Sequence, residues 1–223
     1  MFPNARKRPA SPVRVISCAG RDALSPDEAA AVAAAARAGG VILFPTDTLY
    51  GLGADPLSAS GLAAIYRLKA RAADKPLPVL IAEASLVARF AAAVPDAWRT
   101  LMRRFWPGPL TLLFPALPDL PPAIRSADGT VALRVPGSAL CRAVLRAAGG
   151  ALTGTSANLS GSAGTGDPAG ALRGLAGTVD VLVNAGPLPL SPASTLLGID
   201  ATGAVVPLRA GAVGEASWRR ELQ

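Results

Sequence analysis

Along this chain short apolar runs alternate with stretches of helical pattern, and that alternation restricts the fold more than any other feature. Strands are expected at 13–18 ("VRVISC"), in the apolar run 41–44, and at 76–82 ("PLPVLIA"), 110–114 ("LTLLF"), 130–136 ("TVALRVP"), 151–155 ("ALTGT") and 179–183 ("VDVLV"). Two late β-like segments lie near 194–199 and 204–209. Ser25, Pro26 and Glu28 satisfy a capping box with proline at the first helical position, which predicts a helix over about 26–38 ended by Gly39 and Gly40. Further helices fit 60–69, 85–93, 96–105, 138–147 and 168–175, with "WPGPL" stopping the one at 96–105. Crossover helices must cover the faces of the strands they connect, so the pattern predicts an α/β domain with a mixed twisted sheet.

With 223 residues the chain can bury a full core, and it reads as one domain over 13–213 between a basic tail, 1–12, and a polar tail, 214–223. No apolar run approaches the roughly 20 residues that span a bilayer. Arg14 interrupts any signal-like apolar region, so a cytoplasmic location without membrane contact is expected. The 22 Lys and Arg against 15 Asp and Glu, a net +7, favour anionic partners such as nucleotides, pyrophosphate or RNA. Cys18 and Cys141 are solitary and read as buried thiols. The chain has no histidine, which excludes a serine-hydrolase triad of the usual type and a histidine zinc site.

Four segments could carry chemistry. In "ILFPTDTLYGLG" (42–53), Thr46, Asp47 and Thr48 stand where a buried strand ends, the usual place for ligands in open α/β sheets. Gly51 and Gly53 would allow a close backbone approach or a positive φ; the plain alternative is an ordinary turn. Lys69, Arg71 and Lys75 close a helix and enter the next loop, where they either complement the helix dipole in water or converge on a polyphosphate. Arg134 interrupts a strand that reads as buried on both faces, so it needs a partner, either a carboxylate or a bound anion. "TGTSANLSGSAGTGD" (153–167) offers glycines and small side chains at a strand end, able to cradle phosphate oxygens. Gly164, Gly166 and Ala169 match a dinucleotide fingerprint only poorly, and no Walker A sequence occurs.

Taken together, "FPTDTLYGLG" (44–53), "KAR…KPL" (69–77), "WPGPLTL" (106–112), "TVALRVP" (130–136), "TSANLSG" (155–161), "ST" (194–195) and "LRAG" (208–211) resemble the YrdC-like family of L-threonylcarbamoyladenylate synthases, over about residues 14–213. The resemblance implies a YrdC-like α/β fold, a twisted open mixed sheet with flanking helices and a basic concave cavity. It implies formation of threonylcarbamoyl-AMP and pyrophosphate from L-threonine, bicarbonate or CO2, and ATP, with Mg2+ brought by ATP and no protein ligands for it. The product would serve tRNA threonylcarbamoyladenosine modification, so tRNA-modifying threonylcarbamoyl-transfer proteins are expected partners, with tRNA or double-stranded RNA as a further one.

Carried over by position, the resemblance makes Lys69 and Arg71 catalytic and puts Arg71, Lys75, Thr130, Ser156, Asn158, Gly164 and Arg209 at ATP. It puts Thr48, Arg134, Gly154 and Ser194 at L-threonine, with Arg134 offering a bidentate fork to the carboxylate. Leu80 stands where some relatives have a histidine at the threonine site. Ending near Gln223, the chain is expected to be of the short, single-domain type. The alternative is a double-stranded RNA or tRNA-binding protein of the same fold without catalysis, against which the 4% content of aromatic residues speaks. A carbamoyl transferase of the hydrogenase-maturation kind would instead carry zinc-finger and acylphosphatase modules.

Overall fold

The computed structural model describes residues 12–72, 75–161, 164–189 and 191–223. The expected basic N-terminal tail therefore lies outside the described residues, apart from position 12. The first half comprises β1 (Arg14–Ser17), α1 (Pro26–Arg37), β2 (Ile42–Pro45), β3 (Tyr50–Gly53), α2 (Ala59–Lys69), β4 (Val79–Ile81) and α3 (Asp96–Phe105). The middle holds β5 (Leu110–Pro115), β6 (Thr130–Arg134), α4 (Ala139–Ala147), β7 (Ala151–Thr153) and β8 (Thr155–Ser156). There follow α5 (Pro168–Arg173), β9 (Val181–Asn184), β10 (Thr195–Ile199), β11 (Val205–Arg209) and α6 (Glu215–Arg220).

The fold class agrees with the expectation, but the strands form two mixed sheets rather than one. The first runs β1-β9-β2-β3-β8 and the second β11-β10-β5-β6-β4-β7. They meet where the chain passes from β7 through Gly154 into β8. There the Thr153 amide donates to Ala54 O (2.9 Å) and the Ala54 amide to Thr153 Oγ1 (3.0 Å).

This junction explains a glycine that looked like part of a turn. Tyr50–Gly53 is a strand, antiparallel to β2, with Gly53 opposite Ile42. A Cβ on Gly53 would stand 2.3 Å from Thr153 O and 2.9 Å from Phe44, so only hydrogen fits between the sheets. The turn is instead the stretch 46–49. The Thr46 hydroxyl donates to Leu49 O (2.7 Å) and accepts from the amides of Thr48 (3.1 Å) and Leu49 (3.2 Å).

Helix starts follow local chemistry. Ser25 and Glu28 form the expected capping box, Ser58 and Ser138 cap α2 and α4 through their hydroxyls, and Asp167 caps α5. Helices α1 and α4 cover one face of β2, burying Val32, Ile42, Phe44, Val144 and Leu145. The larger core packs Phe90, Trp98, Leu112, Phe114 and Leu133 around the second sheet.

Two further expectations need correction. The helix expected over 85–93 is a short 3-10 segment, Ala84–Arg89, after which Ala91 bridges to Ala116 and the chain cannot stay helical. Within the expected polar C-terminal tail, α6 buries Trp218 in the larger core, while Arg104 pairs with Glu221 at 3.3 Å. One apolar side chain with a docking place outweighs the polarity of its neighbours.

Candidate active site

A cleft of about 540 Å³ opens between the two sheets. Its walls come from the turn after β2, Arg71, the 76–80 stretch, β5, β6, the β7–β8 junction and the ends of β10 and β11. Of the residues expected at the site, Thr48, Arg71, Thr130, Arg134, Gly154 and Ser156 line it, as do Gly164, Ser194 and Arg209.

Lys69, Lys75 and Asn158 do not. Lys69 is buried beneath the β8 strand, where its ammonium donates to Ser156 O and to Asn158 O (2.6 Å). It shapes the loop backbone from behind. Burial first, and the Arg71 charge second, lower its pKa to about 8. Lys75 is exposed, and its carbonyl accepts from Arg71 Nε (3.0 Å). Asn158 is buried and donates from Nδ2 to Leu159 O (2.8 Å).

Arg134, only 5% exposed, finds its partner in Asp47. Its Nη2 donates to Asp47 Oδ1 and its Nε to Gly108 O at 3.0 Å, which explains what "WPGPL" does besides ending α3. The full fork is thus not open to a ligand, because two of the three nitrogens are held. Asp47, left open by the sequence, is a structural counter-ion.

Across the cleft Arg209 holds Ser194, donating from Nη2 to its hydroxyl (2.9 Å) and carbonyl (2.9 Å), while Ser194 and Thr111 hydroxyls stand 2.8 Å apart. Arg209 is exposed as a residue, and partial desolvation of its guanidinium first, and the Arg134 charge second, lower its pKa, so the two cations act on each other across the cleft. Arg71 is braced by the Lys75 and Pro76 carbonyls, both at 3.0 Å. At the rim, Asp128 accepts from Ser126 and Thr130 hydroxyls, and these bonds lower its pKa. Leu80 packs against Gly154, where a Cβ would stand 2.2 Å from Leu80 Cγ.

Thr46, already noted at the end of β2, lines the cleft as well, whereas Thr111, Ser126 and Asp128 were not foreseen there. A threonine inside "LTLLF" and the turn sequence "SADGT" were the signals available.

Three arginines, a row of buried hydroxyls and an apolar wall define an α/β protein with a cleft suited to an anionic nucleotide beside a small polar molecule. The Sua5/YciO/YrdC family model, described as "Telomere recombination", matches residues 34–211, and the chain belongs to this family. The threonylcarbamoyl-AMP synthase of Bacillus subtilis is 38% identical over 169 residues, which are 75% of this chain and 49% of that protein. A Mycobacterium leprae relative is 36% identical over 203 residues, 91% of this chain and 90% of its own length. Among solved structures, P. abyssi Sua5 complexed with L-threonine superposes with a TM-score of 0.86 at 27% identity, covering 93% of this chain and 60% of that one. The chain therefore spans about half the length of the B. subtilis relative and nearly all of the mycobacterial one.

Proposed function

We propose that the chain forms threonylcarbamoyl-AMP and pyrophosphate from L-threonine, bicarbonate or CO2, and ATP. The observation that carries this reading is the convergence of Arg71, Arg134 and Arg209 on one hydroxyl-lined cleft, in a family whose B. subtilis member bears the name of that activity.

The threonine amine adds to CO2 to give a carbamate, releasing a proton. A carbamate oxygen then attacks the α-phosphorus of ATP, and the bond to the bridging oxygen breaks to release pyrophosphate. No protein nucleophile is needed, so the residues act by positioning and by neutralising charge. Arg134, steadied by Asp47 and Gly108, turns its remaining Nη1 to the threonine carboxylate, with Thr48 and Ser194 at the ammonium and hydroxyl end. Arg71 and Arg209 face the phosphates beside Ser156 and Gly164, while Leu113, Ile124 and Ala132 give the base an apolar wall near Thr130. Lys69 acts indirectly, by holding the loop carbonyls so that neighbouring groups face the phosphates.

Among the described residues no group of three or more acidic or thiol side chains could hold a metal ion, and Asp47 and Asp128 are already engaged. We assign Mg2+ no protein ligand and expect it to enter bound to the ATP phosphates.

One assay tests the reading: pyrophosphate release with L-threonine, bicarbonate and ATP omitted in turn. Release that depends on all three is expected. A protein that only holds double-stranded RNA would release none, and release without threonine would refute the substrate assignment.

A further inference from the structure

A second cavity, of about 710 Å³, opens on the other side of the end of β6: Arg134 lines the cleft, whereas Val135 lines this space. Its size is that of small-molecule sites, roughly 300–1,000 Å³. Helix α3 contributes Arg99 and Arg103, and α4 contributes Arg142 and Arg146. Each pair is spaced by four residues, one helical turn, so both helices present two guanidinium groups on one face.

Opposing charge is sparse. Glu83 is the one carboxylate among the lining residues, and it accepts from the Ser85 hydroxyl. Arg99 has Asp96 at 3.5 Å in an exposed pair, which neutralises little. Among the described residues Arg103, Arg142 and Arg146 pair with no carboxylate. Arg142 is already oriented, since its Nη1 donates to Pro136 O (2.8 Å) and Gly137 O (2.7 Å). The remaining wall is apolar and includes Met102, Trp106 and Val135.

Guanidinium groups on two sides match the oxygens of a phosphate, and an indole edge with a thioether matches a base. An acidic peptide would satisfy the arginines but leave that apolar wall uncovered. We propose that this cavity is a second nucleotide-phosphate site, distinct from the cleft and independent of the activity assigned to it. Its occupant is a nucleotide, either free or within an RNA strand.

The test uses AMP in equilibrium dialysis and a short fluorescein-labelled single-stranded RNA in anisotropy titrations, both at low salt. Wild type is compared with Arg103→Glu/Arg146→Glu and with the cleft variant Arg71→Ala. Arg103 and Arg146 are exposed, so the double variant should keep its melting temperature and its pyrophosphate release. It should bind one probe at least about tenfold more weakly, while Arg71→Ala keeps wild-type affinity for that probe at the second cavity. Loss of one of two AMP sites identifies the free nucleotide, and loss confined to the RNA identifies a nucleotide within a strand. The proposal is overturned if wild type binds neither probe outside the cleft, if the double variant binds both normally, or if Arg71→Ala weakens the same probe equally. Arg103→Lys/Arg146→Lys, which keeps charge but loses the planar fork, should fall between wild type and the reversal.

Discussion

Arg134 and Asp47 form a largely buried ion pair at the floor of the cleft, and removing either partner leaves a charge in an environment that solvates it poorly. With the proposed roles, Arg134→Ala raises the threonine KM while the ATP dependence of pyrophosphate release changes little. Arg71→Ala does the converse, lowering the rate by about tenfold or raising the ATP KM, as loss of an electrostatic donor does elsewhere. Exchanged phenotypes in steady-state kinetics would reverse the two assignments. Lys69 carries a different prediction. Its pKa falls from 10.5 to about 8 on folding, so between those values the unfolded chain binds more protons than the native one. Stability contributed at this position therefore rises with pH through that window. Urea unfolding at about pH 7 and about pH 9.5 should show wild type gaining on Lys69→Met at the higher pH, and a constant difference would remove the buried-ammonium account.

Strand β3 shows how a whole element can be concealed by its composition. Tyr50, Gly51, Leu52 and Gly53 hold two poor strand formers, yet all four are buried and paired with β2. The two glycines differ in their surroundings. At Gly51 a Cβ would meet Phe44 and Thr46 at 3.4 Å, an ordinary contact, whereas at Gly53 it would collide with a backbone carbonyl of β7. Gly53→Ala should cost about 1–3 kcal/mol in urea denaturation, because the sheets must separate locally. Gly51→Ala should be neutral or slightly stabilising, since it restricts the unfolded chain. Equal costs would mean that the sheet junction tolerates displacement.

Over the whole molecule, the C-terminal helix closes the larger core from outside the sheets. Trp218 is 1% exposed, and Arg219 lies over its ring at 4.6 Å. Trp218→Ala should destabilise by about 3–5 kcal/mol, read from the urea midpoint, and should lower activity only through loss of folded protein. A loss below about 1 kcal/mol would show that α6 frays freely from the core. The second cavity has its place at this scale too, because it exists only where α3 and α4 flank the end of one strand.

Local patterns determined much in advance. The capping box of α1, the strands at β2, β5 and β6, and the need of Arg134 for a partner depend on residues near in sequence, whose steric and hydrogen-bonding preferences act at short range. The resemblance to the family, rather than any local pattern, pointed to twelve residues, of which nine line the cleft. Only the tertiary structure decided that Asp47 is that partner, 87 residues away. It also turned the Lys69 amine toward two carbonyls and divided the strands between two sheets. The reason is physical: a side chain's reach and chemistry are written in its own residue, but its counter-ion, its burial and its neighbours' backbone come from segments distant in the chain, brought together by packing.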